Sequence, residues 1–293
     1  MRLRILDSRS LITTLTTDND LPHRFGGLSH TMSAMNIALT RAVPPTIADC
    51  VLTHCPRAPI DLDRAIAQHV EYEAMLEALG ARVERVEAAP DLPDSVFIED
   101  TAVVVDEVAV LMRPGASSRR PEVDAVAAAL GRYRPLQSIV APGTMDGGDV
   151  LRAGRRVFVG LSLRTNHDAL RQLQAILVPL GYAVDDIPVE QCLHLKSAAT
   201  AAADDLLVLN PAWVDPARFG GIEWVAIDPG EPSGANVLRV RDSVVCPTSA
   251  PRTRERLEAR GLTVRAVDAS ELAKAEGALT CASLIFSQSA VTR

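Results

Sequence analysis

One local pattern recurs five times along the 293-residue chain: a helix-like segment ends at a glycine, and a strand-like run follows at once. A glycine just past a helix can adopt the left-handed backbone conformation that other residues resist. Successive glycines are separated by 51, 50, 40 and 40 residues, a spacing typical of repeated supersecondary units. The five glycines are Gly80, Gly131, Gly181, Gly221 and Gly261.

The last unit lacks a helix, and the beginning of the chain supplies the missing part. A strand at 37–41 and a helix at 63–79, capped by Asp61 or Asp63, complete it. We therefore predict an α/β fold, a pseudo-symmetric five-bladed α/β propeller whose ring is closed by the N- and C-terminal segments. Residues 36–293 are predicted to form this single catalytic domain. Residues 1–35 have no sustained periodicity and are predicted to be a poorly ordered extension, or to lie upstream of a translation start at Met32 or Met35.

Composition argues against several classes of protein. With 47% hydrophobic and 23% charged residues, the chain is globular. A net charge of −7 and the lack of a basic block argue against a nucleic-acid partner. No apolar run approaches the roughly 20 residues that span a bilayer, so no membrane association is expected. Five cysteines, an odd number in a chain of this size, indicate reduced thiols and a cytoplasmic location.

Known cofactor motifs are missing from the sequence. Neither a P-loop nor a strand-borne G-x-G-x-x-G is present, so nucleotide binding has no support. The pairs Cys50–Cys55 and Cys192–His194 do not have the spacing of zinc fingers or ribbons. We therefore predict neither a cofactor nor a metal, although a zinc-binding module stays an alternative that metal analysis of the purified protein would test.

Polar residues follow the first strand of each unit, about 13 to 20 residues after its glycine. If the units are related by rotation, these loops face one axis, and a packing core alone would not place unpartnered polar groups there. Singly, each residue has an ordinary explanation, such as a small buried cysteine in an apolar strand. Together they indicate an active site with a cysteine nucleophile. The residues are Glu99, Asp100, Asp146, His194, Asn236 and Cys281.

Seven segments, in order between about residues 36 and 287, resemble the dimethylarginine dimethylaminohydrolase (DDAH) family. That family belongs to the guanidino-group-modifying (pentein) superfamily, whose fold is a five-bladed α/β propeller, so the resemblance implies the fold that the repeat predicts. The segments are 92–104 (LPDSVFIEDTAVV), 113–122 (RPGASSRRPE), 146–150 (DGGDV), 159–166 (VGLSLRTN), 193–197 (LHLKS), 251–254 (PRTR) and 279–281 (LTC).

The resemblance implies hydrolysis of Nω-methylated arginine to citrulline and a methylamine, without a cofactor. Cys281 would attack the guanidinium carbon and form a thiouronium intermediate, its pKa lowered by the bound cation. His194 would protonate the departing amine and later activate water, and Asp146 would orient His194. Glu99 and Asp100 would hold the guanidinium, whose planar fork suits carboxylates.

The family also implies contacts to the amino-acid end of the substrate. Arg119 and Arg164 match the pair that binds the α-carboxylate, and Asp94 matches the contact to the α-amino group. Relatives further suggest a homodimer. The other implied contacts are the pocket wall Phe97, the leucine of a closing loop, Leu52, and the backbone near Ala275.

Two alternatives stay open from the sequence. One is a sibling enzyme that acts on arginine or Nω-hydroxyarginine, or an amidinotransferase, because the side-chain volume around Phe97 and Leu52 decides the substrate. The other is a non-catalytic ring that binds arginine-like ligands, for which Cys281→Ser would leave all measurable function intact.

Overall fold

A computed structural model describes residues 35–288 of the chain. The predicted extension, apart from Met35, lies outside the described residues. Within them, the chain forms fifteen strands and six α-helices, and the strands group into five three-stranded sheets. The fold is thus mixed α/β with small sheets.

The five sheets account for all of these strands. In chain order the strands are β1 (Asn36–Thr40), β2 (Ala81–Arg85), β3 (Ala102–Val104), β4 (Ala109–Leu111), β5 (Leu136–Ser138), β6 (Val150–Ala153), β7 (Arg156–Leu161), β8 (Ala183–Pro188), β9 (Ala199–Ala203), β10 (Leu206–Leu209), β11 (Glu223–Ala226), β12 (Leu238–Val240), β13 (Ser243–Pro247), β14 (Thr263–Val267) and β15 (Leu284–Ser287). The sheets have the orders β15-β1-β2, β3-β4-β5, β6-β7-β8, β9-β10-β11 and β12-β13-β14.

Each sheet has the same internal topology. The central strand pairs antiparallel with one neighbour and parallel with the other. The parallel pair requires a crossover connection, and a helix supplies it in four of the five units. The predicted five-fold repeat is therefore confirmed at the level of the individual sheet.

The helices that make these crossover connections are the four longest in the described chain. The fourth unit uses the 3₁₀ turn Pro216–Phe219 instead. The α-helices are α1 (Leu62–Ala78), α2 (Val123–Leu130), α3 (His167–Leu177), α4 (Leu195–Ala198), α5 (Pro251–Ala259) and α6 (Ser270–Ala273). In α1 the Asp61 carboxylate accepts a hydrogen bond from the Arg64 N–H at 3.1 Å, which confirms Asp61 as the N-cap.

The two ends of the described chain meet in one sheet, as the incomplete last unit predicts. Strand β15 pairs antiparallel with β1, with Asn36 opposite Ser287 and Leu39 opposite Leu284. Strand β1 in turn pairs parallel with β2. The first and last segments thus build a single three-stranded unit.

The glycines after the helices adopt positive φ in four of the five units, for example Gly80 at 83° and Gly261 at 83°. The prediction is wrong for Gly131, which has φ −58°. After α2 the chain continues through a turn at 131–133 before β5 begins at Leu136, so no sharp reversal is needed at the glycine.

The buried apolar residues divide into five clusters. In one of them, Leu173 and Leu177 of α3 pack on Val157 and Val159 of β7, so a helix face covers its own sheet. Among residues 35–288, no helix combines the length and apolarity needed to cross a bilayer.

Candidate active site

A pocket with about 310 Å³ of empty space lies where loops from several units meet. Eight of the twelve site residues predicted from the sequence line it, and Glu99, Asp146, Asn236 and Leu52 do not. Its lining comprises Val51, Asp94, Phe97, Asp100, Arg119, Arg164, Leu193, His194, Ala275, Glu276, Gly277 and Cys281.

The loops that form this region occupy equivalent places in the repeat, each just before the first antiparallel strand of its sheet. Short helical turns at Ile98–Thr101, Gly147–Asp149, Leu195–Ala198 and Thr280–Ala282 precede β3, β6, β9 and β15. The fifth loop, before β12, contributes Asn236. Its side chain donates to the Lys196 carbonyl and the Thr280 hydroxyl, both at 3.0 Å, and accepts from the Thr280 N–H. The five loops therefore converge as the sequence predicts.

His194 lies between two carboxylates. Its Nε2 is 3.1 Å from an Asp146 oxygen, and its Nδ1 is 3.8 Å from an Asp100 oxygen. Burial favours the neutral ring, but Asp100, Asp149 and Asp146 outweigh it and raise the pKa of His194 to about 9. The other Asp146 oxygen accepts the Gly115 N–H at 2.8 Å, which fixes the carboxylate. His194 is consequently an imidazolium at neutral pH.

Asp100 belongs to a second charge cluster. It accepts from the Arg119 guanidinium at 2.5 Å and from the Gly148 N–H at 2.9 Å. Burial would raise the pKa of Asp100, but the charges of His194 and Arg119 lower it to about 2. Arg119 also donates to both oxygens of Glu122 and to the Phe97 carbonyl. Four of the five N–H groups of Arg119 are thereby used within the protein.

Glu99 lies behind the pocket wall. Its two oxygens accept from Lys196 Nζ at 2.6 Å and from the Thr280 hydroxyl at 2.7 Å. Burial raises the pKa of Glu99, and Lys196 opposes that effect. Because Thr280 precedes Cys281, the Lys196–Glu99 pair holds the turn that carries the thiol.

Cys281 is 9% exposed and lines the pocket. Burial raises the pKa of its thiol, and the negative charges of Glu99 and Asp100 raise it further. These shifts favour the neutral thiol and the protonated imidazole in the free protein, and both side chains line the same pocket. A cation that entered the pocket would favour the thiolate.

The same pocket also carries groups suited to an amino acid. Arg164 donates to the Thr53 hydroxyl at 2.9 Å and lies 3.8 Å from Asp146. The Asp94 carboxylate accepts the Val51 N–H at 3.2 Å. Leu52 does not line the pocket, whereas its neighbour Val51 does.

A close contact fixes the aromatic wall. A Cβ atom at Gly277 would lie 2.1 Å from the Phe97 ring, so only glycine permits this approach. The Phe97 ring is thereby held against the segment that leads to Cys281. Ala275, two residues before this glycine, lines the pocket as the resemblance implies.

Two residues outside the predicted set position His194. The Asp149 carboxylate accepts from the Leu195 N–H at 2.9 Å and from the hydroxyls of Ser162 and Thr165 at 2.6 and 2.7 Å. Burial raises the pKa of Asp149 to about 6. At Gly148, a Cβ atom would lie 2.6 Å from His194 Nδ1. Both residues belong to the DGGD segment at 146–149, which could have indicated their role. On its own, however, this sequence is typical of an ordinary turn.

Asp100, Asp146 and His194 have ligand atoms within 4.8 Å of one another, a spacing that could suit a metal ion. However, Asp100 already pairs with Arg119, and a cation there would face that guanidinium. Each member of the group has its own hydrogen-bond partner within the protein. We therefore interpret Asp100, Asp146 and His194 as a charge network around the imidazole ring and not as metal ligands.

Comparison with known proteins identifies relatives over most of the chain, although no family model matches the sequence. A dimethylarginine dimethylaminohydrolase from Streptomyces coelicolor is 40% identical over 253 residues, 84% of this chain and 95% of the relative. One from Pseudomonas aeruginosa is 33% identical over 228 residues, 77% of this chain and 90% of the relative.

A solved structure agrees with these sequence matches. It is the Pseudomonas aeruginosa enzyme, a cysteine-to-serine mutant complexed with citrulline, with a TM-score of 0.82 and 31% identity, covering 86% of this chain and 100% of that one. The chain belongs to the dimethylarginine dimethylaminohydrolase family, in the pentein superfamily.

Proposed function

We propose that this chain hydrolyses Nω-methylated arginine, such as dimethylarginine, to citrulline and dimethylamine. The observation that carries the proposal is that Cys281 and His194 line one pocket together with the carboxylates Asp94 and Asp100; nearby acids also raise the pKa of both Cys281 and His194. A guanidine hydrolase needs this combination, because its substrate brings its own positive charge to the thiol and its leaving amine needs a proton. Family membership supports the same reaction.

The substrate guanidinium binds beside Asp100 and above Glu99. Asp100 is fixed by Arg119 and Gly148, so its charge stays in place when a ligand enters. Glu99 lies behind the pocket wall, and its charge is shared with Lys196. The guanidinium carbon then lies next to the thiol, and its charge lowers the pKa of Cys281 when it binds.

The reaction proceeds in two steps, formation of a covalent intermediate and its hydrolysis. The Cys281 thiolate attacks the guanidinium carbon, and the tetrahedral adduct expels dimethylamine as His194 gives it a proton. The thiouronium that stays on Cys281 is then attacked by water, from which the now neutral His194 takes a proton. Collapse releases citrulline and the thiol, and Asp146 keeps the imidazole oriented throughout.

The amino-acid end of the substrate binds at the opposite wall. Arg164 and the free N–H of Arg119 take the α-carboxylate, and Asp94 takes the ammonium group. These three residues line one pocket and provide two cations for the carboxylate and one anion for the ammonium group. Further contacts in this proposal are Phe97, Leu52 and the backbone near Ala275.

Broader features of the protein are also part of the proposal. The five equivalent sheets support a closed five-bladed propeller formed as one domain by residues 36–293. Five free cysteines in the described chain support a cytoplasmic location. We also expect a homodimer and activity without a cofactor.

The test is a substrate panel. Purified protein is incubated with asymmetric dimethylarginine, monomethylarginine, arginine and Nω-hydroxyarginine, and citrulline and the released amine are quantified. We expect the methylated arginines to have the highest kcat/KM. A preference for arginine would assign the sibling activity instead, and a lack of citrulline from every guanidine would refute the proposal.

A further inference from the structure

A short segment at 51–55, which we name the lid segment, lies at the mouth of the pocket and is tied to one carboxylate. Three successive backbone N–H groups, those of Thr53, His54 and Cys55, donate to the two oxygens of Glu276 at 2.5, 2.5 and 2.7 Å. Consecutive backbone N–H groups that point to one anion form a concave binding site for negative charge. The lid segment thus holds the Glu276 side chain as it would hold a bound anion.

The backbone at Glu276 is unusual in a way that points to its side chain. Its φ is 56°, in the left-handed region that glycine adopts freely and that a side chain makes less favourable. Both of its neighbours, Ala275 and Gly277, line the pocket, and Gly277 contacts the Phe97 ring. The Glu276 carboxylate therefore belongs to a segment of the pocket wall, five residues before Cys281.

The lid segment has two further attachments, both to residues proposed to bind the amino-acid end of the substrate. The Val51 N–H donates to Asp94, and the Thr53 hydroxyl accepts from Arg164. Ligand and lid therefore share these two side chains, which a bound ligand can draw away from the lid. Glu276 also lines the pocket, but its carboxylate is bonded to the lid backbone and not to Asp94 or Arg164.

We propose that Glu276 is a positioning residue that holds the lid segment closed over the pocket and thereby limits the exchange of substrate and water with Cys281. Its effect on catalysis rests on the proposed function, but its effect on the lid does not. Closing segments of this kind sequester reactive intermediates and retain substrate. Loss of the carboxylate should raise KM much more than it changes kcat, because the Glu276 carboxylate is bonded to the lid backbone and not to Cys281 or His194.

The first test measures the lid in the ligand-free protein. Arg57 follows the lid segment, is exposed, and donates to the Ala48 and Cys50 carbonyls, so trypsin cleavage after Arg57 reports detachment of the segment. We expect about tenfold faster cleavage, and similarly faster alkylation of Cys281 by iodoacetamide, in Glu276→Ala, since charge-assisted bonds are among the stronger hydrogen bonds. Glu276→Gln should lie between Glu276→Ala and the native protein.

A matched control comes from another carboxylate that caps backbone N–H groups. Glu231 accepts from the Arg252 and Thr253 N–H groups at 2.9 and 2.8 Å, at the start of α5. Glu231→Ala should leave cleavage after Arg57 unchanged. If it accelerates that cleavage as much as Glu276→Ala does, the effect is general loosening and the proposal is wrong.

Kinetics give the second test. With dimethylarginine, Glu276→Ala should raise KM about tenfold and keep kcat within about threefold, a loss typical of ground-state binding. Glu276→Gly serves as a second variant, because it suits the positive φ and keeps the fold if alanine does not. Native rates of cleavage and alkylation in all three variants would overturn the proposal. If the native protein hydrolyses no guanidine, the proposed function fails while the proteolysis still decides the role of Glu276.

Discussion

The proposed reaction depends on the protonation of two side chains, Cys281 and His194. Burial and nearby acids raise the pKa of the thiol, while acids around the imidazole raise its pKa to about 9. These shifts favour the thiol–imidazolium form in the free protein, which has one proton more than the form that attacks in the proposed reaction. In the proposed reaction, binding of the substrate cation lowers the pKa of Cys281 and so favours the loss of this proton.

The raised pKa values of Cys281 and His194 predict how kcat/KM depends on pH. Below about pH 9, reaching the transition state requires the loss of one proton, so kcat/KM should rise about tenfold per pH unit. Near pH 9 the free protein itself loses the His194 proton, so the rise should stop there. Steady-state assays from pH 6 to 10 check this expectation. A kcat/KM independent of pH between 6 and 9 would contradict this expectation, because the free protein would then have lost that proton, from Cys281 or from His194, already below pH 6.

The Lys196–Glu99 pair predicts a stability effect. Lys196→Met leaves a buried carboxylate without its cation, so the free energy of unfolding should fall by about 3 kcal/mol. Urea denaturation measures the change. Adding Glu99→Gln to Lys196→Met should restore most of that stability without restoring activity. Native stability in Lys196→Met alone would contradict the role assigned to the pair.

At the scale of elements, the contact between two loops is the tightest constraint on the site. Gly148 lets the turn Gly147–Asp149 approach the His194 ring, and a Cβ atom there would also lie 2.8 Å from an Asp100 oxygen. The backbone of one loop thus sets the position of the imidazole carried by another.

Gly148→Ala should therefore reduce kcat about a hundredfold while the protein stays folded, since misplaced catalytic groups lose this much. Gly131→Ala is the matched control, because Gly131 has an ordinary φ and its nearest contact for a Cβ atom is 3.3 Å. Assays of citrulline formation and circular dichroism compare the two. Equal activity in both variants would refute the constraint.

The sequence predicts the repeat and the convergence of loops because both follow from local periodicity and from the position of polar residues after each strand. It does not predict the links between loops. Asn236 was predicted, and Lys196 and Thr280 lie close to predicted residues, yet their hydrogen bonds join segments 40 or more residues apart, which local patterns do not encode. Nor does it predict that Leu52 lies beside the pocket lining while Val51 belongs to it.

At the scale of the whole molecule, the fold depends on its last described strand. Strand β15 covers one edge of β1, and Phe286 packs in the same cluster as Ile37 and Leu39, which are fully buried. The Arg134 guanidinium also donates to the Ser287 carbonyl. The first sheet is therefore complete only once β15 has been made.

A chain that ends at residue 283 should not fold, since it exposes both the edge of β1 and its apolar partners. A chain that ends at residue 288 keeps every described strand and is the control. Amide hydrogen exchange measures protection in β1. Native protection of β1 in the shorter chain would show that β15 is dispensable.

The covalent step is the central claim. Native protein mixed with dimethylarginine and quenched in acid within one turnover should carry the amidino adduct, the substrate less dimethylamine, on Cys281, as peptide mass spectrometry would detect. Cys281→Ser should form neither adduct nor citrulline. Citrulline formation by Cys281→Ser, or an adduct on another cysteine of the native protein, would contradict the assignment of Cys281 as the nucleophile.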